Sequence, residues 1–274
     1  MAADLDNLDL GKPTEYVDVY TPSLLKSISR APVRAAMGIE GSNLPFTGVD
    51  VWNGYELSWL NRKGRPEVAG LRVTIPAQSS HIPESKALKL YLGSFANSQF
   101  VSRQDVENTI ESDLKLAVRA PVIVEVLPLD QIEDSGAQLT GESLDVLDVE
   151  TDVYEPDPDL LQTTSDSPMR ETVFTHLLRT LCPVTSQPDW GSLWIQYSGP
   201  EIDRASLLKY IVSFRNHQGF HEEAVERMYV DIMARCAPSA LTLHARYLRR
   251  GGLDINPFRS TKETEAPPLR LSRQ

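Results

Sequence analysis

Cys182 sits in LCPVTSQPDWG, directly after a β-type run and before a loop punctuated by Pro183 and Pro188. A cysteine at a strand end beside polar residues is open to partial exposure, and its thiolate is then a nucleophile. The same residue also reads as a buried small hydrophobe. Asp189 follows seven residues later, and the two prolines let the loop fold back so that thiol and carboxyl share a pocket. A carboxylic acid there donates a proton once desolvation raises its pKa. The competing reading is a turn aspartate, because PDWG is a common turn composition. His221, Glu222 and Glu223 open an amphipathic helix. Acids are electrostatically favoured at that end, whereas a histidine there fits a proton shuttle near neutral pH. Glu84, Ser85 and Lys86 stand at the start of another helical run. A carboxylate accepts two parallel hydrogen bonds from a ring N–H and an adjacent amino group, as on a guanine-like edge. A helix N-terminal Glu beside a solvated Lys is the alternative.

Other chemistries lack their residues. There is no C-x-x-C or H-E-x-x-H spacing for zinc, so no metal site is expected. Neither a P-loop nor G-x-G-x-x-G occurs, so a nucleotide cofactor would bind outside a Rossmann unit. His81, His176, His217, His221 and His244 are dispersed. Cys236 falls on the apolar stripe of a helix, where packing is its expected role.

The elements that carry these residues occur twice. ALKLYLGSFAN (87–97) and SLLKYIVSFRN (206–216) align at an offset of 119, pairing Leu88, Tyr91, Ser94, Phe95 and Asn97 with Leu207, Tyr210, Ser213, Phe214 and Asn216. Both are followed by a helical pattern: Val106, Ile110, Leu114 and Ala117 in one, Val225, Met228, Tyr229, Ile232, Met233 and Cys236 in the other. Each helix meets an Ala-Pro step that stops it, then a strand-like run, VIVEVL from Val122 and ALTLHARYL from Ala240. Upstream, Tyr55–Leu60 and Val68–Ile75 read as a hairpin around NRKGRP, and Val173–Leu178 with Ser192–Tyr197 fill that part in the second half. The architecture expected is α+β: a tandem duplication, each unit an antiparallel sheet with helices packed on one face.

The chain has 274 residues, 41% hydrophobic, which suffices for one large or two modest domains with a real core. Its net charge of −11 is concentrated: residues 131–170 hold eleven acids and only Arg170 as a base. This excludes a basic nucleic-acid face as the organising feature, although Arg246, Arg249 and Arg250 form a small basic cluster. YEPDPD (154–159) and TTSDSP (163–168) read as connecting segments, with a short strand available around Leu144, Val146, Val149 and Val153. The domain reading is therefore 1–130, an acidic connection 131–170, and 171–274. No apolar run is long enough to span a membrane, MAADLDNLDLGK lacks the features of a signal peptide, and two cysteines make no disulfide framework. A cytoplasmic protein with reduced thiols is expected.

Taken together, these blocks resemble a known family. ESKALKLY (84–91), LPFTGVDVWNGYELSWLN, CPVTSQPDWGS, VSFRNHQGFHEEAVER and ARYLRRGGLDINPFRS are similar, in order, to the long two-unit branch of the NADPH-dependent 7-cyano-7-deazaguanine reductases. The resemblance covers nearly all of the chain outside the acidic segment. It implies tandem tunnelling-fold units with the pocket formed between units, and a homodimer. It implies reduction of the nitrile of 7-cyano-7-deazaguanine to 7-aminomethyl-7-deazaguanine in tRNA queuosine biosynthesis, with no direct nucleic-acid contact. On it, Cys182 is the nucleophile that forms a covalent thioimidate, Asp189 the proton donor, and His221 a substrate contact that assists proton transfer. Pro83, Glu84, Ser85 and Glu222 join His221 around the substrate, and Ser85, Lys86, Arg250 and Gly251 fall where the family binds NADPH.

Two other functions fit the residues. A cysteine-dependent hydrolase or cyclohydrolase acting on a pterin or purine would turn over without NADPH, and the missing metal ligands count against it. A non-catalytic purine-binding module would keep Glu84 as anchor and leave Cys182 no more reactive than a free-cysteine peptide.

Overall fold

The computed structural model describes residues 16–274 apart from Ser42 and Glu133. The MAADLDNLDLGK reading lies outside the described residues. The chain divides into two compact units: residues 1–42, 50–134 and 249–255 form the first, and residues 43–49, 135–248 and 256–274 the second. The division falls inside two strands rather than at the contiguous blocks 1–130, 131–170 and 171–274.

In chain order the first unit holds β1 (Ser27–Ser29), α1 (Ala31–Ala36), β2 (Thr47–Leu60), β3 (Pro66–Pro76), β4 (His81–Pro83), α2 (Ser85–Gly93), α3 (Arg103–Val118) and β5 (Ile123–Leu127). β2 reaches into the second unit with its first residues. The second unit holds β6 (Glu142–Ser143), β7 (Thr163–Leu181), β8 (Pro188–Ile202), α4 (Arg204–Ser213), α5 (His221–Cys236), β9 (Ala240–Tyr247) and most of β10 (Leu253–Ser260). In the first unit the strand order is β5–β3–β2, and in the second β10–β9–β8–β7–β6. β3–β5, β7–β8, β8–β9 and β9–β10 are antiparallel, and β6 lies parallel to β7. The α+β class is thus as expected, with strands longer than the sequence runs.

Periodicity explains these elements. Along β2 half-buried and buried residues alternate as far as Gly54, and the phase shifts at Tyr55 and the exposed Glu56, so Trp52 before the shift and Leu57 and Trp59 after it are all buried in the core. They meet Leu71, Val73 and Ile75 of β3, Leu88 and Tyr91 of α2, Phe95 just after it, and Val106, Ile110, Leu114 and Val118 of α3. Each such side chain removed from water contributes about 1.5–3 kcal/mol. Val118 rather than Ala117 completes the stripe, because the helix runs one residue further before Arg119 ends it in the left-handed region, φ 58. α5 ends the same way at Ala237, φ 46, ahead of Pro238.

The duplication is visible in detail. Tyr91 donates to Asp113 Oδ2 at 2.6 Å, and Tyr210 to Asp231 Oδ2 at 2.7 Å. Ser94 Oγ donates to the Tyr91 carbonyl and Ser213 Oγ to the Tyr210 carbonyl, each at 2.6 Å. Tyr91–Phe95 and Tyr210–Phe214 are both edge-to-face at 82°.

The acidic segment is a correction. TTSDSP belongs to β7, whose partner strand β8 supplies its ladder. YEPDPD is ordered as the second copy of the strap that precedes α2. The Asn97 N–H donates to the Asp18 carbonyl at 2.8 Å, and the Asn216 N–H to the Tyr154 carbonyl at 3.0 Å. A 3₁₀ turn follows each strap, Pro22–Leu24 and Pro158–Leu160. The acids also bond locally: Asp145 accepts from the Thr175 hydroxyl and from the His176 N–H at 3.0 Å. Of the four apolar residues read as a strand, only Leu144 is buried; Val146 is 80% exposed, and β6 ends before them.

Candidate active site

Cys182 begins the tip of the β7–β8 hairpin. Its N–H donates to the Gln187 carbonyl at 2.9 Å and its carbonyl accepts from Ser186 N–H at 3.0 Å, so 182–187 closes on itself. Ser186 takes the left-handed conformation, φ 54. A second segment holds this tip. Leu181 N–H donates to the His217 carbonyl at 2.8 Å, Gly219 N–H donates to the Leu181 carbonyl at 3.1 Å, and the Gln218 amide donates to Ser186 Oγ at 2.9 Å. Arg179 Nη1 donates to the Arg215 carbonyl. Cys182 is therefore 3% exposed, buried as in the second of its two readings, because HQG (217–219) lies along the residue before it. Gly219 sits close to both side chains: a Cβ would lie 2.5 Å from His217 Nε2 and 2.9 Å from Glu223 Oε2, so these side-chain ends would have to shift.

Asp189 is not a turn residue. It is the second residue of β8, buried, and paired in register with Thr180 of β7. His221 is the first residue of α5. Its Nε2 lies 3.3 Å from Asp189 Oδ2, and its buried Nδ1 has no hydrogen-bond partner. Glu222 beside it is buried. The imidazole is stacked on the ring of Tyr247, centroids 3.7 Å apart and planes 2° from parallel. Tyr247 ends β9, opposite Gly191 of β8. Burial foremost, opposed by Thr180 and reinforced by the charges of Asp189 and Glu222, keeps the Tyr247 phenol well above its ordinary pKa and so protonated.

His217 is half-buried, and desolvation with the nearby Arg227 charge pulls its pKa down to about 4. Its Nε2 is 3.7 Å from Glu223 Oε1, too long for a hydrogen bond. Burial raises the Glu223 pKa in turn. Cys236 is in the core on α5 as expected, its thiol pushed up to about 11 by burial. Both cysteines are free.

In the first unit, Pro83 ends β4 and Glu84 caps α2, its two carboxylate oxygens accepting from Lys86 N–H at 2.9 Å and Ala87 N–H at 2.8 Å. The capping reading is correct, and each oxygen keeps a further lone pair for a ligand. Ser85 and Lys86 open the helix, with Lys89 one turn on. Arg250 and Gly251 belong to a tight reversal closed by Arg250 N–H on the Leu253 carbonyl at 2.9 Å, with Gly251 and Gly252 at φ +61 and +81. A Cβ on Gly251 would lie 2.9 Å from Lys89 Nζ, and one on Gly252 2.5 Å from the Glu56 carboxyl carbon. A cavity of about 180 Å³ opens here, lined in part by Tyr55, Glu56, Lys89 and the two glycines. Arg249 caps the Tyr55 ring at 4.6 Å. Arg246, by contrast, is buried in the second unit and donates to the Pro267 carbonyl at 2.6 Å, so it is no part of a basic surface.

The model of the nitrile reductases' N-terminal part, described as 7-cyano-7-deazaguanine-reductase N-term, matches residues 16–126, and that of a QueF-like protein matches 188–266. The NADPH-dependent 7-cyano-7-deazaguanine reductase of Burkholderia ambifaria is 53% identical over 97% of both chains. The chain belongs to this reductase family. The proteins of the same name from Burkholderia vietnamiensis and Paraburkholderia xenovorans are 52% and 50% identical, again over 97% of each chain. A solved archaeosine synthase QueF-Like protein in the apo form aligns with 38% of this chain and all of its own, at 17% identity and a TM-score of 0.31.

Tyr247, His217 and Gly219 were not singled out from the sequence. Tyr247 is an ordinary aromatic in a strand pattern, and only register places it over His221. The spacing of His217 and His221, one helical turn, was the available signal for His217.

Proposed function

We propose that the chain reduces the nitrile of 7-cyano-7-deazaguanine to the aminomethyl group, using NADPH, within tRNA queuosine biosynthesis. The 3.3 Å approach of Asp189 to His221, beside the hairpin tip that begins with Cys182, carries the reading. A nitrile carbon is a weak electrophile, and a thiolate splits its reduction into easier steps. Cys182 sulfur attacks that carbon, forming a C–S bond as the nitrile nitrogen takes a proton from Asp189, which gives a thioimidate on the enzyme. Protonation at that moment avoids a nitrogen anion. His221 shares its proton with Asp189 and, with Glu222, orients the substrate. Addition of hydride and a proton gives a tetrahedral thioaminal, the thiol leaves to yield the imine, and a second hydride and proton complete the amine.

NADPH supplies one hydride each time it binds, so two are consumed per turnover. The Gly251–Gly252 reversal fits such a group, since a Cβ on either residue would fill the space beside Lys89 and Glu56. Ser85, Lys86, Arg250 and Gly251 would hold it, the cations meeting its phosphates. Glu84 is assigned the purine-like edge through its free lone pairs.

Mass spectrometry of the protein mixed with 7-cyano-7-deazaguanine tests the reading. A stable adduct mapped to Cys182, absent in Cys182→Ala together with NADPH oxidation, is expected. Full nitrile reduction by Cys182→Ala overturns it. Among the described residues no helix is long and apolar enough to cross a membrane. A cytoplasmic homodimer completes the reading, and light scattering of the purified protein tests the dimer.

A further inference from the structure

His221 is held by little that is polar. Its one contact with Asp189 is long, at 3.3 Å, and Nδ1 has no partner. A single tether at one ring nitrogen leaves the ring free to turn about it. The surface that stops this is Tyr247, 3.7 Å away and parallel to within 2°. Tyr247 is itself fixed. It is fully buried, it pairs with Gly191 in the ladder, Leu248 N–H donates to the Trp190 carbonyl at 2.8 Å, and the Gln274 amide donates to the Tyr247 carbonyl at 3.1 Å. Gly191 leaves room for the ring, because a Cβ there would stand 3.3 Å from Tyr247 Cδ1. The phenol is not what anchors it: Oη makes no hydrogen bond of normal geometry, even to the neighbouring Thr180 hydroxyl.

We infer that Tyr247 is a positioning residue, whose ring face sets the plane of His221 and so aims Nε2 at Asp189. The inference rests on the nitrile reduction proposed above. A proton donor displaced by an ångström loses up to about a hundredfold in rate, so a flat surface behind the imidazole has a kinetic value that burial alone does not supply.

The rate of adduct formation on Cys182 with 7-cyano-7-deazaguanine, followed by quenching and mass spectrometry, tests it in a double-mutant cycle. Tyr247→Leu should slow the adduct about tenfold to a hundredfold, and Tyr247→Phe, which keeps the ring, should restore most of the rate. On a His221→Ala background Tyr247→Leu should cost little more, since the group it positions is gone. Gly191→Ala, whose Cβ would stand 3.3 Å from Tyr247 Cδ1, should behave like a mild Tyr247→Leu and serves if that variant does not fold. Equal slowing with and without His221, or a Phe variant as slow as Leu, overturns the inference. A wild-type protein that forms no adduct defeats the function reading instead.

Discussion

Asp189 Oδ2 and His221 Nε2 meet at 3.3 Å with both side chains almost shut off from water. One residue comes from the start of a strand and the other from the start of a helix, so only the fold joins them. On the nitrile reduction proposed above, a proton passed between them would be shielded from bulk water until a ligand arrives, which suits a donor to a nitrile nitrogen.

Asp189→Asn keeps the shape and removes the acid. It should lower the rate of NADPH oxidation by about a hundredfold to ten-thousandfold, with the melting temperature little changed. His221→Ala should fall in the same range, and the double variant should be no worse than the poorer single one, because the two act as a pair. Steady-state kinetics on the three proteins checks this.

Gly219→Ala places a methyl 2.5 Å from His217 Nε2. Overpacking of this kind costs about 1–3 kcal/mol. The displaced segment also holds Leu181, so adduct formation on Cys182 should slow as well. Chemical denaturation and the adduct rate measure both, and an Ala variant equal to wild type in each would remove the brace.

His217 supplies part of the acid limb of stability. Its folded pKa of about 4 lies below the ordinary value of 6.5. Between these values the unfolded chain binds a proton that the folded one refuses, so stability falls as pH drops from about 6.5 to 4, by up to about 3 kcal/mol. Glu223 acts in the opposite sense, because its raised folded pKa favours the native state as pH falls. His217→Gln should flatten the decline in denaturation midpoints across that window. His244, also held neutral by burial, leaves a residual slope.

The duplicated tyrosines should not be equivalent. Asp231 accepts from Tyr210, whereas Asp113 accepts from both Tyr91 and Tyr20, at 2.6 and 2.7 Å. Tyr210→Phe leaves a half-buried carboxylate short of its donor, at about 1 kcal/mol. Tyr91→Phe leaves Tyr20 in place and should cost less. Thermal melts of the two variants rank them.

The sequence paired the two tyrosines but not their aspartate acceptors. The offset of 119 aligned Tyr91 with Tyr210 because both copies bury the same helix face against a sheet. It missed the second strap, since in YEPDPD the acids dominate the composition, and Glu155-Pro156 stands where the first copy has Val19-Tyr20. TTSDSP was misjudged for a related reason. Polar residues read as connection, yet a strand needs only backbone partners, and β8 provides them.

Residue types, their repeat and their order along the chain determined the α+β class, the doubled unit, the helix starts at Glu84 and His221, and the candidate set around Cys182. Tertiary structure alone decided that Cys182 is buried, that Asp189 lies in a strand, and that Tyr247 backs His221. These depend on strand register and on how one segment closes over another, and such contacts link positions whose separation leaves no periodic trace in the chain.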